Sequence, residues 1–297
     1  MEGEKQFLIA HLSDLHLNAG NNLRQNKRSF FHYLSRSNEA FRNIIKSQPI
    51  KNANLIIITG DVTDRGDIES WEFFWKEIQA AGLIEKIIIV PGNHDACCMG
   101  ARSPFKKNLY RQHDMEKLSN GLKIGNHCSK FPWVRQYDKR VVIFGLNSTN
   151  LGNFSFLSNA IGRITQNQLL SLAEQLYNHK NVPVKIVVLH HSLSERTNVK
   201  KKGRKLMNRL MLMGRRLPNR QQRVLMLLCL SHGVQIIAHG HVHRAEDRVV
   251  DGIRIIGAPP TTRPLSQIGT GNTYHFYTYT IRGQNSAVHA KLEKIQF

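Results

Sequence analysis

Thiol is scarce in this chain. Four cysteines occur in 297 residues, with Cys97 and Cys98 adjacent, Cys128 in a polar stretch and Cys229 in an apolar run. That spacing fits neither a disulfide framework nor a zinc knuckle, and it implies a reduced setting. Long apolar runs are missing as well. No stretch approaches the roughly 18 residues needed to span a bilayer. The start, Met1 to Gln6, lacks the basic end and long apolar core of a signal peptide. The expected location is cytoplasmic, with peripheral membrane contact left open. Acid is the third shortage: 21 Asp and Glu face 42 Lys and Arg, a formal charge of +21. Such an excess predicts attraction to nucleic acid or anionic lipid without choosing between them. Neither internal repeats nor low-complexity segments appear.

What is present is a set of five short apolar runs, each ending in residues that bind metals. Residues 7–12 run into Asp14 and His16, and 55–59 into Gly60, Asp61 and Asp64. Residues 87–90 lead to Gly92, Asn93, His94 and Asp95, 186–189 to His190 and His191, and 234–238 to Gly240, His241 and His243. Continuous Ile, Val and Leu runs bounded by Gly, Pro and polar residues read as strands buried on both faces. In such sheets the loops leaving the carboxyl ends of strands converge on one rim. Residues far apart in sequence are thereby gathered at one place. Their oxygen and imidazole donors, without thiolate, suit Mn, Fe, Zn or Ni better than Ca or Mg.

Between the runs, 30–46, 67–81, 166–178 and 220–232 read as helices, which implies crossover units and a mainly parallel core. Further strands are expected at 141–146, 253–256, 274–280 and 287–293, the last two as an antiparallel pair turning near Gly283 and Asn285. The motifs span most of the chain, so 1–297 reads as one domain. Two segments look like insertions on the rim, at about 96–138 and 195–223. The first reads as a loop-rich cap. Within the second, residues 196–223 carry no acid and place Leu206, Leu210, Met213 and Leu217 at helical spacing. This basic amphipathic segment is the expected contact for nucleic acid or an anionic membrane surface.

The motifs D-x-H, G-D-x-x-D, G-N-H-D, a histidine pair after a strand, and G-H-x-H resemble, in order, those of the calcineurin-like metallophosphoesterase superfamily. Residues 10–17, 89–96 and 131–148 are similar to its bacterial branch, which includes class III cyclic-nucleotide phosphodiesterases. Ser192 departs from the Pro frequent after the histidine pair. The resemblance implies an α/β fold of four layers, α-β-β-α, with two mixed sheets. It implies two divalent ions and a bridging hydroxide that attacks a phosphate ester. Asp61 would bridge the ions, one oxygen to each, with Asp14, His16 and His243 on the first and Asn93, His190 and His241 on the second. His94 would protonate the leaving oxygen, with Asp95 bonded to its other ring nitrogen. His191 and Arg65 are expected to face substrate. Asp64, His11, His239 and Asn147 are weaker candidates, as are Arg24, Lys27 and Arg28. The expected substrate is a cyclic nucleotide or related diester; nucleic-acid ends, a lipid-linked pyrophosphate and a silent basic binding module are the alternatives.

Overall fold

The computed structural model describes residues 6–18, 37–64, 66, 68–96, 131–137, 139–149, 161–193, 217–263, 273–282 and 287–297. Arg24, Lys27, Arg28, Arg65, Cys97, Cys98, Cys128, Gly283, Asn285 and residues 195–216 lie outside them, so the readings placed there are not addressed by it.

Two mixed sheets stack face to face. The five-stranded sheet has the order β11-β10-β1-β2-β3, from Phe7–Leu12 (β1), Leu55–Thr59 (β2), Ile87–Val90 (β3), Thr273–Arg282 (β10) and Ala287–Gln296 (β11). The six-stranded sheet has the order β4-β5-β6-β7-β9-β8, from Trp133–Tyr137 (β4), Val141–Gly145 (β5), Val184–Val188 (β6), Ile236–His239 (β7), Glu246–Val250 (β8) and Ile253–Gly257 (β9). Strands β1-β2-β3 and β5-β6-β7-β9 are parallel; β10, β11, β4 and β8 add antiparallel edges.

Side-chain alternation along each strand produces the layers. On β2, Ile56 and Ile58 turn outward to pack with Phe41, Ile44, Trp71 and Phe74 of the helices Ser37–Lys46 (α1) and Ile68–Ala80 (α3), while Gln48–Asn52 (α2) supplies Ile50. Leu55 and Ile57 of β2 turn inward to meet Ile143, Ile186, Val188 and Ile236 of the other sheet. The outer face of the six-stranded sheet is covered through Leu172 and Leu176 of Gln166–Asn178 (α5) and Leu225 and Cys229 of Asn219–Ser231 (α6). Each such aliphatic side chain contributes about 1.5–3 kcal/mol when fully buried. The layers are therefore α-β-β-α, as expected from the resemblance.

Two edge strands were not expected. Strand β4 forms the carboxyl-terminal part of the segment read as a loop-rich cap, and its Trp133 indole N–H donates to Ile89 O at 3.2 Å, tying the two sheets together. Strand β8 is paired to β9 through Asp251 and Gly252, both at positive φ (51° and 86°), the two-residue hairpin turn that fits the twist of the strands. Leu217, read as part of a rim segment, is buried in the outer core at the start of α6.

Candidate metal centre

Loops from both sheets meet at the carboxyl ends of their parallel strands. The first loop continues the β1–β2 pairing: Asp14 N–H donates to Gly60 O (3.0 Å), His16 N–H to Asp61 O (2.9 Å) and Leu17 N–H to Val62 O (2.9 Å). The six-stranded sheet is tied in by His190 Nδ1 to Thr59 O (2.7 Å) and by His241 N–H to Asp14 Oδ2 (2.9 Å). Two motif glycines owe their place to these approaches. A Cβ on Gly92 would lie 2.1 Å from Asp61 Oδ1, and one on Gly240 would lie 1.8 Å from Ser13 Oγ.

The sequence-predicted residues fall into two groups that share one carboxylate. Asp14, His16, Asp61 and His243 form the first; Asp61, His190 and His241 form the second, with the ligand atoms of each group within 4.8 Å of one another. Asn93, on the short helix Asn93–Ala96 (α4), joins the second group with Oδ1 3.1 Å from His190 Nε2. Asp61 Oδ1 accepts the His94 N–H at 2.8 Å. Its Oδ2 alone faces inward, 3.4 Å from His190 Nε2 and 3.9 Å from His16 Nε2. The His94 N–H engages Oδ1, and Oδ2 lies between the two groups.

The donor chemistry fits divalent ions. A carbonyl only accepts, so His190 Nδ1 carries the proton toward Thr59 and Nε2 presents a lone pair. That lone pair faces Asn93 Oδ1, Asp61 Oδ2 and, at 3.1 Å, His241 Nδ1. Acceptors crowded in this way repel unless a cation lies among them. His241 Nε2 is buried without a hydrogen-bond partner, and His243 Nε2 lies 3.1 Å from Asp14 Oδ1 and 3.3 Å from His16 Nε2. In the metal-free protein a proton serves instead. Burial resists charge on His190, yet the Asp61 carboxylate outweighs it and lifts the imidazole to about 9. Burial likewise opposes ionisation of Asp14 and Asp61, but His243 beside the first and His190 beside the second hold both below the usual carboxylate range. Burial pushes His241 and His191 well down, and His16 to about 4.

His94 sits at the edge of the first group, its ring edge-on to His16 with centroids 4.6 Å apart. Its Nδ1 donates to Asp64 O at 2.9 Å, and Asp64 Oδ1 stands 3.8 Å from that nitrogen and 3.6 Å from His16 Nδ1. Burial disfavours its charged form, but Asp61 and Asp64 outweigh burial and raise its pKa. The expected Asp95–His94 bond is absent. Asp95 Oδ1 accepts from Thr63 N–H (2.9 Å) and Thr63 Oγ1 (3.0 Å), and its Oδ2 from Gly92 N–H (2.9 Å) and Val62 N–H (3.2 Å). Asp95 is a clip between two loops, because four donors already fill its oxygens. Asp64 is the group placed against His94.

Strand β6 ends at Val188, so alternation does not govern the histidine pair. His190 enters the second group, whereas His191 is fully buried with Nδ1 2.9 Å from Ser148 Oγ. Asn147 makes a turn: its Oδ1 accepts from Thr149 N–H (2.9 Å) and Thr149 Oγ1 (2.6 Å). His11 and His239 lie beneath the centre. The first contacts Tyr279 and Thr59, and the second meets Gly240 O at 3.0 Å with Nε2 3.3 Å from Glu246. Arg263, which the sequence reading passed over, is half-buried beside the first group. It follows Pro259 and Pro260 and ends no recognised motif, so nothing but its place after a parallel strand marked it.

A family model described as calcineurin-like phosphoesterase matches residues 7–245. A protein of Vesicomyosocius okutanii named "Probable cyclic nucleotide phosphodiesterase" is 24% identical over 233 residues, 78% of this chain and 80% of that protein. A second, from Arcobacter nitrofigilis, named "Probable glycerophosphodiester phosphodiesterase GpdQ", is 24% identical over 185 residues, 62% of this chain and 57% of that protein. Among solved structures, a dimetal phosphatase from Danio rerio shares the fold with a TM-score of 0.60 at 11% identity, over 96% of this chain and 98% of the other.

Proposed function

The chain belongs to the calcineurin-like phosphoesterase family of metal-dependent hydrolases, and from that premise we propose that it hydrolyses a phosphodiester of the cyclic-nucleotide class. The observation that carries the reading is the shared oxygen: Asp61 Oδ2 faces both ligand groups, His190 at 3.4 Å and His16 at 3.9 Å. The residues that would hold the first ion are Asp14, His16, Asp61 and His243, and the second Asp61, Asn93, His190 and His241. Two divalent ions, when bound, polarise phosphoryl oxygens and lower the pKa of a coordinated water from about 15.7 to about 7.

The chain's own residues supply the rest. Because His94 Nδ1 is committed to Asp64 O, Nε2 is the atom that holds a proton for the leaving oxygen. The names of the two relatives favour a diester over a monoester, and the formal charge of +21 favours an anionic substrate or surface. No described helix is long and apolar enough to cross a membrane. A cytoplasmic protein whose segment 196–223 touches nucleic acid or anionic lipid remains part of this proposal, as does the choice among Mn, Fe, Zn and Ni. The test is hydrolysis of bis-p-nitrophenyl phosphate with added Mn²⁺ and after chelation, followed by cyclic nucleotides, glycerophosphodiesters, nucleic-acid ends and a lipid-linked pyrophosphate. Turnover that chelation abolishes, highest on a cyclic nucleotide, is expected. Preference for either of the last two substrates would replace the reading, and absence of turnover on all would leave a binding module.

A further inference from the structure

We propose that Arg263 is a phosphate-binding residue of this centre, its guanidinium taking non-bridging oxygens of the phosphoryl group beside Asp14 and His16. The proposal rests on the phosphoesterase reading and adds a residue that no motif contains. It begins from the path of the chain after β9. Ala258 N–H donates to His239 O at 2.8 Å, and the chain then crosses to the loop that carries Asp14. There Thr261 N–H donates to Ser13 O (2.9 Å), Ser13 N–H to Thr261 Oγ1 (2.9 Å), and Thr262 Oγ1 to Leu15 O (2.7 Å). These bonds grip the residues on either side of Asp14. Arg263 N–H closes the turn on Pro260 O at 3.1 Å. Arg263 therefore leaves a pinned turn immediately beside the first ligand group.

Its surroundings are those of the site. The side chain is half-buried; burial disfavours its charge, and the Asp14, Asp64 and Asp61 carboxylates favour it. Asp64, 12% exposed and 3.6 Å from His16, brings a third carboxylate beside the candidate ligands Asp14 and Asp61. Two divalent ions against three carboxylates retain one positive charge. A diester enters with one negative charge and gains another as an anionic nucleophile adds. Arg263 supplies the missing cation without taking a coordination position. A guanidinium also offers paired N–H donors in a plane that matches two phosphoryl oxygens, which a lysine does not.

The competing account is that Arg263 only neutralises carboxylates. The two separate on inorganic phosphate, titrated calorimetrically into the full chain loaded with Mn²⁺, together with metal content and the division between KM and kcat for bis-p-nitrophenyl phosphate. In Arg263→Ala, metal content should stay near two per chain, phosphate affinity should fall at least tenfold, and KM should rise more than kcat falls. Arg263→Lys should lie between, and it carries the same readouts should the alanine variant not fold. Phosphate affinity within twofold of wild type, with both metals bound, would overturn the assignment. Loss of a metal equivalent would overturn it too, by making Arg263 part of the metal frame. Phosphate binding that depends on Arg263 in a chain that hydrolyses no ester would refute the proposed function and leave this site standing.

Discussion

Replacing Asp61 by Asn probes the centre with and without metal. The amide oxygen can still accept the His94 N–H, now 2.8 Å from Oδ1, so the loop keeps its anchor. The other end becomes an NH₂ donor aimed at His190 and His16, where the proposed ions would lie. With metals supplied, activity should fall below a tenth of wild type. The metal-free protein gives the magnitude. His190 is raised from 6.5 to about 9, burial opposing and Asp61 chiefly favouring the charge. At about 1.36 kcal/mol per pKa unit, the net shift corresponds to roughly 3 kcal/mol. The folded pKa exceeds the unfolded one, so this stability is fully present below pH 6.5 and is lost as pH rises through 9. Denaturant unfolding of metal-free protein across that window should therefore cost wild type roughly 3 kcal/mol more than Asp61→Asn. Parallel curves would refute the pairing. Retention of more than a tenth of the activity with both metals bound would refute the bridge.

His94→Ala should keep two metals per chain while turnover falls by roughly 10² to 10⁴, with a smaller loss on p-nitrophenyl esters, whose leaving group needs no proton; loss of a metal by elemental analysis would make His94 a ligand. His190→Ala should lose one metal equivalent, whereas His191→Ala should keep both and lose stability by roughly 1–3 kcal/mol as Ser148 Oγ loses the imidazole and keeps only the backbone N–H of residue 191; the reverse metal counts would overturn the assignment. Asp95→Asn should destabilise by roughly 2–6 kcal/mol, since two of its four buried donors would face an NH₂ group, and it should leave the pH profile of turnover unshifted; a shifted profile at unchanged stability would restore the role first expected of it.

Much of the centre was legible because its candidate ligands stand at the ends of strands buried on both faces, and such strands announce themselves as unbroken Ile and Val runs. Strands β4 and β8 escaped for the opposite reason. Each is an edge strand with a mixed pattern: β4 is rich in partly exposed residues, and β8 reads Glu-Asp-Arg-Val-Val. Only the Asp251–Gly252 pair marks the β8–β9 hairpin in the sequence. The roles of Asp95 and Asp64 were exchanged because spacing shows which residues lie near a loop and not which donors reach them. The left-handed turn at Asp61 brings three backbone N–H groups and Thr63 onto Asp95, and that choice is made by tertiary contacts. Arg263 depended on the bonds of Thr261 and Thr262 to Ser13 and Leu15, distant in sequence, about which its own surroundings in the chain say nothing.

Five of the seven candidate ligand residues share a backbone feature that explains their spacing. Asp14, His16, Asp61, His241 and His243 all have positive φ, between 46° and 69°. A non-glycine residue pays about 1–2 kcal/mol for that conformation. In an extended strand, residues i and i+2 point the same way but stand about 6.6 Å apart, too far to converge on one ion. The left-handed turns fold D-x-H back on itself, so that Asp14 Oδ1 comes within 4.0 Å of His16 Nε2 and 3.1 Å of His243 Nε2. The residue between them, Leu15, is meanwhile driven into the outer core with no exposure at all. Strain of this kind persists only where the surroundings over-determine it. Here the ladder from Gly60, Asp61 and Val62 fixes one loop, and Asp14 Oδ2 with His190 O fixes the other through His241 and Gly240. The sheets thus hold the two-residue motifs in a conformation that an isolated strand would refuse, and the crowded lone pairs that result are what a divalent ion relieves.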